Sequence, residues 1–303
     1  MTDNSLKVFS FSDAHIGHEN SLLGAGTLLT DVQRVRNSVS EQQRRDVRTT
    51  VEDIIKECDV IVLNGDIIDK MGGLSHHHQQ KTIQHVLGLV EEWAQTYPGK
   101  TFYYILGNHE AYDPYRDVQI QEHIQSTLTI ENLHFSDIGV MVGDVFFTHG
   151  DLGAFGVHPS GRHYAQNSHP EHSGNENNAL YAWMIQHLEA CHEDELPLIL
   201  VHDNAPIALD AEILSNAHVV LGHTHELIDH ERDNGKRIIN GGHLKSGSSI
   251  DRHRNNTPND LHQSIITLED GIMVDHQRAF PTTERWEDLV TQRRTHSGRS
   301  HNV

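Results

Sequence analysis

The fold of this chain is decided by one stretch, Val219-Val220-Leu221-Gly222-His223-Thr224-His225. Its first three residues are apolar and predict a short buried strand. Residues at positions i and i+2 of an extended chain project to the same side, so His223 and His225 are spaced to bind adjacent metal ions. Gly222 lets the backbone turn sharply beside them. Because the chain contains 27 histidines, this pair alone is weak evidence for a metal site.

Polar residues also follow three predicted strands upstream. These are residues 6–11 followed by Asp13 and His15, residues 59–63 followed by Asp66, and residues 101–106 followed by Asn108, His109 and Glu110. Two segments with apolar residues at helical spacing, 47–58 and 83–97, separate these strands. A capping box formed by Ser40 and Gln43 precedes the first of them. In open α/β sheets, ligands gather at the carboxyl ends of the strands. We therefore expect the polar residues to meet at one edge of a sheet.

The composition excludes several classes of protein. A formal net charge of −20 over 303 residues argues against unaided binding to nucleic acid or to an anionic membrane. The only cysteines, Cys58 and Cys191, end helical apolar stripes and do not form a disulfide framework. No apolar run approaches the length needed to span a bilayer, and residues 1–10 do not resemble a signal peptide. We expect a soluble cytoplasmic protein, and the sequence specifies no oligomeric state.

Together these motifs have a recognisable order. They are Asp13-x-His15, Gly65-Asp66, Gly107-Asn108-His109-Glu110, a later histidine, and Gly222-His223-Thr224-His225. This set resembles the calcineurin-like metallophosphoesterase superfamily, over residues 6–280. The resemblance implies an α/β (α+β) fold, a four-layer αββα sandwich of two mixed sheets flanked by helices. We expect one domain at 1–280 with a loop insertion at 153–178, and a polar tail at 281–303.

The resemblance also implies a ligand set for two divalent metal ions, of the kind Mn, Fe, Zn or Ni. Asp13, His15, Asp66 and His225 would hold one ion; Asp66, Asn108, His223 and one further histidine would hold the other. Asp66 would bridge the two ions, and the oxygen and imidazole ligands suit such metals. His109 would act on the leaving-group oxygen as a proton donor rather than as a ligand. Glu110 would orient His109, or it would contact the metal ligands without binding a metal ion itself.

The remaining ligand has two candidates, His149 and His202, each of which follows an apolar segment. His149 ends a predicted hairpin at 140–147, and the run His149-Gly150-Asp151 resembles the UDP-diacylglucosamine hydrolase branch of the superfamily. His202 follows a predicted strand at 198–201. We favour His202, because only a predicted short helix at 207–214 separates it from the strand of His223, which predicts adjacent strands. His149 would then support the ligands or face the substrate.

Two further polar segments have less specific patterns. Residues 153–178 are rich in Gly, His, Asn and Ser. As a loop over the strand ends they could bind phosphate, with Arg162 as the candidate for a bidentate contact, or they could form an ordinary surface loop. The triplet His76-His77-His78 is predicted to lie in a solvated loop.

The function predicted from the resemblance is that of a metal-dependent phosphoesterase. A hydroxide bridging the two metals would attack a phosphomonoester or phosphodiester, and the metals would neutralise the phosphoryl oxygens. Alternative activities are those of a UDP-diacylglucosamine-type pyrophosphohydrolase and a Ser/Thr protein phosphatase. An alternative of another class is a metal-free binding scaffold on the same fold. The scaffold is disfavoured because every motif position is filled.

Overall fold

The computed structural model describes residues 5–24, 28, 39–69, 76–111, 129–150, 176–225, 227–244 and 263–279. Arg162 and the predicted tail at 281–303 lie outside these ranges. So does most of the predicted insertion at 153–178, although residues 176–178 begin a helix. Among the described helices, none combines the length and the apolar character needed to span a bilayer.

The described residues form strands and helices in alternation. The strands are β1 Ser5–Phe11, β2 Val60–Asn64, β3 Thr101–Ile105, β4 Leu133–Ser136, β5 Val140–Val142, β6 Val145–Phe147, β7 Leu198–Val201, β8 Asn204–Ala208, β9 His218–Leu221, β10 Leu227–Glu231, β11 Arg237–Gly241, β12 Gln263–Glu269 and β13 Ile272–Ala279. The helices are α1 Glu41–Glu57, α2 His76–Thr96, α3 Asn108–Ala111, α4 Glu176–Ala190 and α5 Ala211–Asn216, and a 3-10 turn spans Glu193–Glu195.

The first sheet has the strand order β13-β12-β1-β2-β3-β4. Strands β1 to β4 run parallel, and β12 is antiparallel to β1. Parallel strands end at the same edge of a sheet, so the residues that follow β1, β2 and β3 lie close together. These are Asp13, Asp66 and Asn108, as the sequence predicted.

The second sheet has the strand order β10-β11-β9-β6-β5-β7-β8. Strand β9 is parallel to both of its neighbours, β11 and β6. His149, after β6, and His223, after β9, therefore follow adjacent strands at one edge. His202 follows β7, which pairs with β5 and β8. The prediction that His202 lies on the strand next to that of His223 is wrong, because the hairpin β5–β6 is inserted between them.

The two sheets pack face to face, and helices cover both outer faces. One apolar cluster lies between the sheets, a second lies under α1 and α2, and a third lies under α4 and α5. Representative members are Tyr103, Phe147 and Val220 for the first cluster, Ile55, Val86 and Trp93 for the second, and Leu180, Met184 and Leu214 for the third. The predicted four-layer αββα sandwich is confirmed.

Local signals explain where several helices begin. The predicted capping box at the start of α1 is confirmed: Gln43 N donates to Ser40 Oγ (3.2 Å), and Ser40 N donates to Gln43 Oε1 (2.6 Å). Helix α2 begins at His76, so the prediction that the triplet 76–78 lies in a loop is wrong. The helix predicted at 207–214 begins only at Ala211, after the Asp210 cap.

The residues ahead of Ala211 form β8, an edge strand that contains Pro206. An edge strand tolerates proline because one side of its backbone is not paired. The hairpin predicted at 140–147 is confirmed as β5–β6, and β12 and β13 form a second antiparallel pair.

Candidate metal centre

The predicted ligands lie on tight turns at the strand ends. Five of these residues have a backbone φ in the left-handed region: Asp13 (54°), His15 (45°), Asp66 (52°), His223 (66°) and His225 (59°). This conformation is unfavourable for residues other than glycine, and it recurs at functional sites. Backbone hydrogen bonds hold the turns together, from Asp13 N to Gly65 O (3.0 Å) and from His15 N to Asp66 O (2.9 Å).

Asp13, His15 and His225 form one group of side chains that could hold a metal ion. The Nε2 atoms of His15 and His225 lie 3.1 Å apart, and Asp13 Oδ1 lies 3.1 Å from His225 Nε2. All three side chains are buried. Separations of about 3 Å are those of neighbouring ligands that each lie about 2.0–2.2 Å from one ion.

Asp66, His149 and His223 form a second group. Asp66 Oδ1 lies 3.3 Å from His149 Nε2, and His223 Nδ1 lies 2.9 Å from Oδ1 of Asn108. The His149 ring lies against Gly65, where an added Cβ atom would approach the ring carbon Cγ to 2.4 Å. A side chain at position 65 would therefore displace His149, and Gly65 also has a φ of +80°.

Asp66 lies between the two groups. Its Oδ2 atom is 3.8 Å from Nε2 of His15, which belongs to the first group, while its Oδ1 atom faces His149 in the second. The carboxylate therefore presents one oxygen to each group. This is the position required of a ligand that is shared by two cations.

The donor atoms fit divalent cations. His149 Nδ1 donates to Asn64 O (2.8 Å), which leaves a lone pair on Nε2 facing the Asp66 carboxylate. A metal ion between these two acceptors, which lie 3.3 Å apart, would remove their mutual repulsion. Nδ1 of His223 and Oδ1 of Asn108, which lie 2.9 Å apart, are likewise spaced as two ligands of one ion.

The charges of the group favour ligation. Burial would raise the pKa of Asp13 and Asp66, but attraction to His225 and His109, respectively, outweighs burial and lowers both. Burial lowers the pKa of His223 to about 3. The carboxylates are therefore ionised and His223 is neutral at pH 7, the protonation states that metal binding needs.

His109 lies at the edge of the centre, and a neighbouring carboxylate orients it. Its side chain is 24% exposed, and its Nδ1 atom lies 3.4 Å from Oδ1 of Asp69. Burial would lower the pKa of His109, but attraction to Asp66 and the interaction with Asp69 raise it to about 9. In the metal-free protein the ring therefore carries a proton at neutral pH, and it is partly exposed to solvent.

Asp69 is a site residue that the sequence analysis missed. The same oxygen that faces His109 also accepts from Nδ1 of His15 (3.1 Å). Asp69 therefore fixes the tautomer of a candidate ligand and also contacts the candidate proton donor. A sequence signal was present, because Asp69 follows Asp66 by three residues in the same strand-end loop, Gly65-Asp66-Ile67-Ile68-Asp69.

Glu110 does not contact His109 in the way that the sequence analysis suggested as one alternative. Its carboxylate accepts hydrogen bonds from the backbone N–H groups of Asp66 (3.0 Å), Ile68 (2.9 Å) and Gly107 (3.0 Å). It also accepts from Tyr104 Oη (3.2 Å). Glu110 therefore joins the loops that follow β2 and β3. Burial and the nearby Asp66 raise the pKa of Glu110 to about 7.

His202 lies outside the centre. Its Nδ1 atom is 2.9 Å from Tyr103 Oη, and its Nε2 atom is 2.9 Å from Asp203 Oδ2. The position predicted for His202, beside Asp66 and His223, is occupied by His149 instead. The correction follows from the strand order, which places β6 rather than β7 next to β9.

Comparison with known proteins gives a family. A family model described as calcineurin-like phosphoesterase matches residues 6–227, which is more than half of the chain. Among solved structures, a dimetal phosphatase from Danio rerio is similar, at 13% sequence identity and a TM-score of 0.40. The match covers 90% of this chain and 98% of that chain. No curated protein sequence matches. On the strength of the family match, this chain belongs to the calcineurin-like phosphoesterase family.

Proposed function

We propose that the protein hydrolyses phosphate esters at a two-metal centre. Asp13, His15, Asp66 and His225 hold one divalent ion, and Asp66, Asn108, His149 and His223 hold the other. The observation that carries the proposal is the position of Asp66, whose two carboxylate oxygens face the two groups of ligands. Two bound cations would activate water and neutralise the charge that develops on the phosphoryl oxygens.

His109 is proposed to act as the general acid. Its ring is partly exposed and lies beside the carboxylate of Asp69, so it can pass a proton to the leaving-group oxygen of a bound ester. Asp69 keeps the proton on the ring, and Glu110 holds the strand-end loops in place. In this mechanism no Ser or Cys nucleophile is needed.

The substrate has two candidate classes. The first is a simple phosphomonoester or phosphodiester. The second is a sugar-nucleotide pyrophosphate, and the observation that favours it is the place of His149 beside Asp66. In the sequence, His149-Gly150-Asp151 resembles the UDP-diacylglucosamine hydrolase branch.

A substrate panel with matched variants tests the proposal. Metal-free protein would be assayed with Mn²⁺, Ni²⁺, Zn²⁺ or Fe²⁺ against p-nitrophenyl phosphate, bis-p-nitrophenyl phosphate, nucleotides, cyclic nucleotides, a phosphopeptide and a sugar-nucleotide pyrophosphate. We expect metal-dependent hydrolysis that is abolished in Asp66→Asn, with reduced metal content and an intact fold. A wild-type protein that binds no metal and hydrolyses none of these compounds would instead support the binding scaffold.

A further inference from the structure

Asn240, at the carboxyl end of β11, joins two loops of the candidate centre. Its side chain is 1% exposed. The Nδ2 atom donates to Gly222 O (2.7 Å) and to Thr224 Oγ1 (3.1 Å), and Oδ1 accepts from Gly242 N (2.9 Å). The amide therefore binds the backbone before His223 and the side chain between His223 and His225.

The loop that Asn240 binds needs external support. Both His223 and His225 have a φ in the left-handed region, at 66° and 59°. Such conformations persist only where surrounding contacts impose them. Within the described residues, Asn240 supplies buried side-chain hydrogen bonds at both ends of this turn, at Gly222 and at Thr224.

The two histidines of this loop belong to different groups of ligands. His225 lies with Asp13 and His15, whereas His223 lies with Asp66 and His149. The segment after β11 also contacts the first group directly, because Leu244 N donates to Asp13 O (3.2 Å). A change at Asn240 therefore acts on both metal positions at once.

We infer that Asn240 is a positioning residue shared by the two metal ions, which fixes one imidazole ligand of each. The inference rests on the proposed two-metal function. It requires that loss of the Asn240 amide weakens both ions together, whereas loss of one ligand, such as His225, mainly weakens one ion. Groups that support metal ligands in this way change metal affinity by about 10–100-fold.

The test measures metal binding directly, by titrating Co²⁺ into metal-free protein and following both calorimetry and visible absorption. Asn240→Leu removes the hydrogen bonds that the amide makes with Gly222, Thr224 and Gly242 at similar side-chain size, and Thr224→Val removes the one between Asn240 and Thr224. Asn132→Leu is the matched control, because Asn132 Nδ2 likewise donates to backbone carbonyls, those of Ala94, Tyr97 and Lys100, away from the centre. Circular dichroism establishes that each variant is folded.

We expect Asn240→Leu to lower both Co²⁺ association constants by about 10–100-fold and to change the visible spectrum of both ions. Thr224→Val should give a smaller loss at both, and Asn132→Leu should keep wild-type metal binding even if it melts earlier. A folded Asn240→Leu with wild-type constants, or with only one constant lowered, would overturn the inference. If that variant does not fold, unchanged binding in Thr224→Val overturns it instead.

The same measurements distinguish failure of the Asn240 inference from failure of the proposed hydrolase function. Wild-type protein that binds two ions but hydrolyses no compound of the panel contradicts the hydrolase and leaves the role of Asn240 supported by the binding pattern. Wild-type protein that binds fewer than two ions overturns both proposals.

Discussion

Oδ1 of Asp66 lies 3.3 Å from Nε2 of His149, across the boundary between the two sheets. Asp66 follows β2 of the first sheet, and His149 follows β6 of the second. The hydrogen bond from His149 Nδ1 to Asn64 O fixes which ring nitrogen faces the carboxylate. The edges of the two sheets thus contribute to one site, and this pair lies at the proposed second metal position.

The first prediction concerns the ligand of that position. His149→Ala should remove one of the two ions, or weaken it by at least about 10–100-fold, with near-complete loss of hydrolysis. His202→Ala is the matched control, because His202 ends a strand of the same sheet but contacts Tyr103 and Asp203. Metal stoichiometry by elemental analysis after gel filtration measures both variants.

The His202 variant should keep two ions and most of its activity. If His202→Ala loses an ion while His149→Ala keeps both, the assignment of His149 is wrong. A sugar-nucleotide pyrophosphate would then lose the observation that favours it as a substrate.

The strand ends were predictable from sequence because each motif directly follows an apolar run. The choice between His149 and His202 was not, since it depends on strand order. Sequence proximity favoured β7 as the neighbour of β9, but the antiparallel hairpin β5–β6 lies between them, and β6 pairs with β9. Such long-range pairing leaves no local signal in the chain. Asp69 was missed for another reason: an acid three residues after Asp66 is equally compatible with a solvated turn.

The second prediction separates a catalytic acid from a metal ligand. His109→Ala should keep both ions and lower kcat by about 10²–10⁴-fold, the range for loss of a general acid. The loss should be smaller for p-nitrophenyl esters than for alkyl esters, because a good leaving group needs less protonation. His109 also lies within ligand distance of His15 and Asp66, so a fall in metal stoichiometry would show that it is a ligand instead.

The third prediction concerns the support given by Glu110. In Glu110→Gln, the amide has only one acceptor oxygen for the N–H groups of Asp66, Ile68 and Gly107. Burial and Asp66 raise the pKa of the wild-type carboxyl to about 7. The stability that protonated Glu110 contributes is therefore fully present below its unfolded-state pKa of 4.5 and is lost as the pH rises through about 7.

The Tm of metal-free wild type, measured relative to Glu110→Gln, should therefore fall between pH 5 and pH 8. Each kcal/mol corresponds to about 2–4 °C in a chain of this size. A Tm difference between the two proteins that is constant over this range would contradict the raised pKa.

The last prediction tests Asp69 through the pH dependence of hydrolysis. In the wild type, Asp66 and Asp69 raise the pKa of His109 to about 9 against the opposing effect of burial. If protonated His109 is the acid, kcat/KM falls as pH rises through the pKa of His109, which bound cations lower from this metal-free value because they offset the charge of Asp66. Asp69→Asn removes a negative charge 3.4 Å from the ring, so the imidazolium becomes less stable and the alkaline limb should move to lower pH by about 1 unit or more.

The measurement requires saturating metal, because Asp69 also accepts from His15 and its loss should weaken the first ion by about 10–100-fold. At a pH well below the alkaline limb of the wild type, Asp69→Asn should retain most of its kcat, whereas on that limb it should lose activity relative to wild type. The double variant His109→Ala with Asp69→Asn is the control, since it lacks the titrating ring and should show no alkaline limb of this origin. An alkaline limb at the wild-type pH in Asp69→Asn at saturating metal would show that the limb belongs to a group other than His109, and the role of Asp69 would then be confined to holding His15.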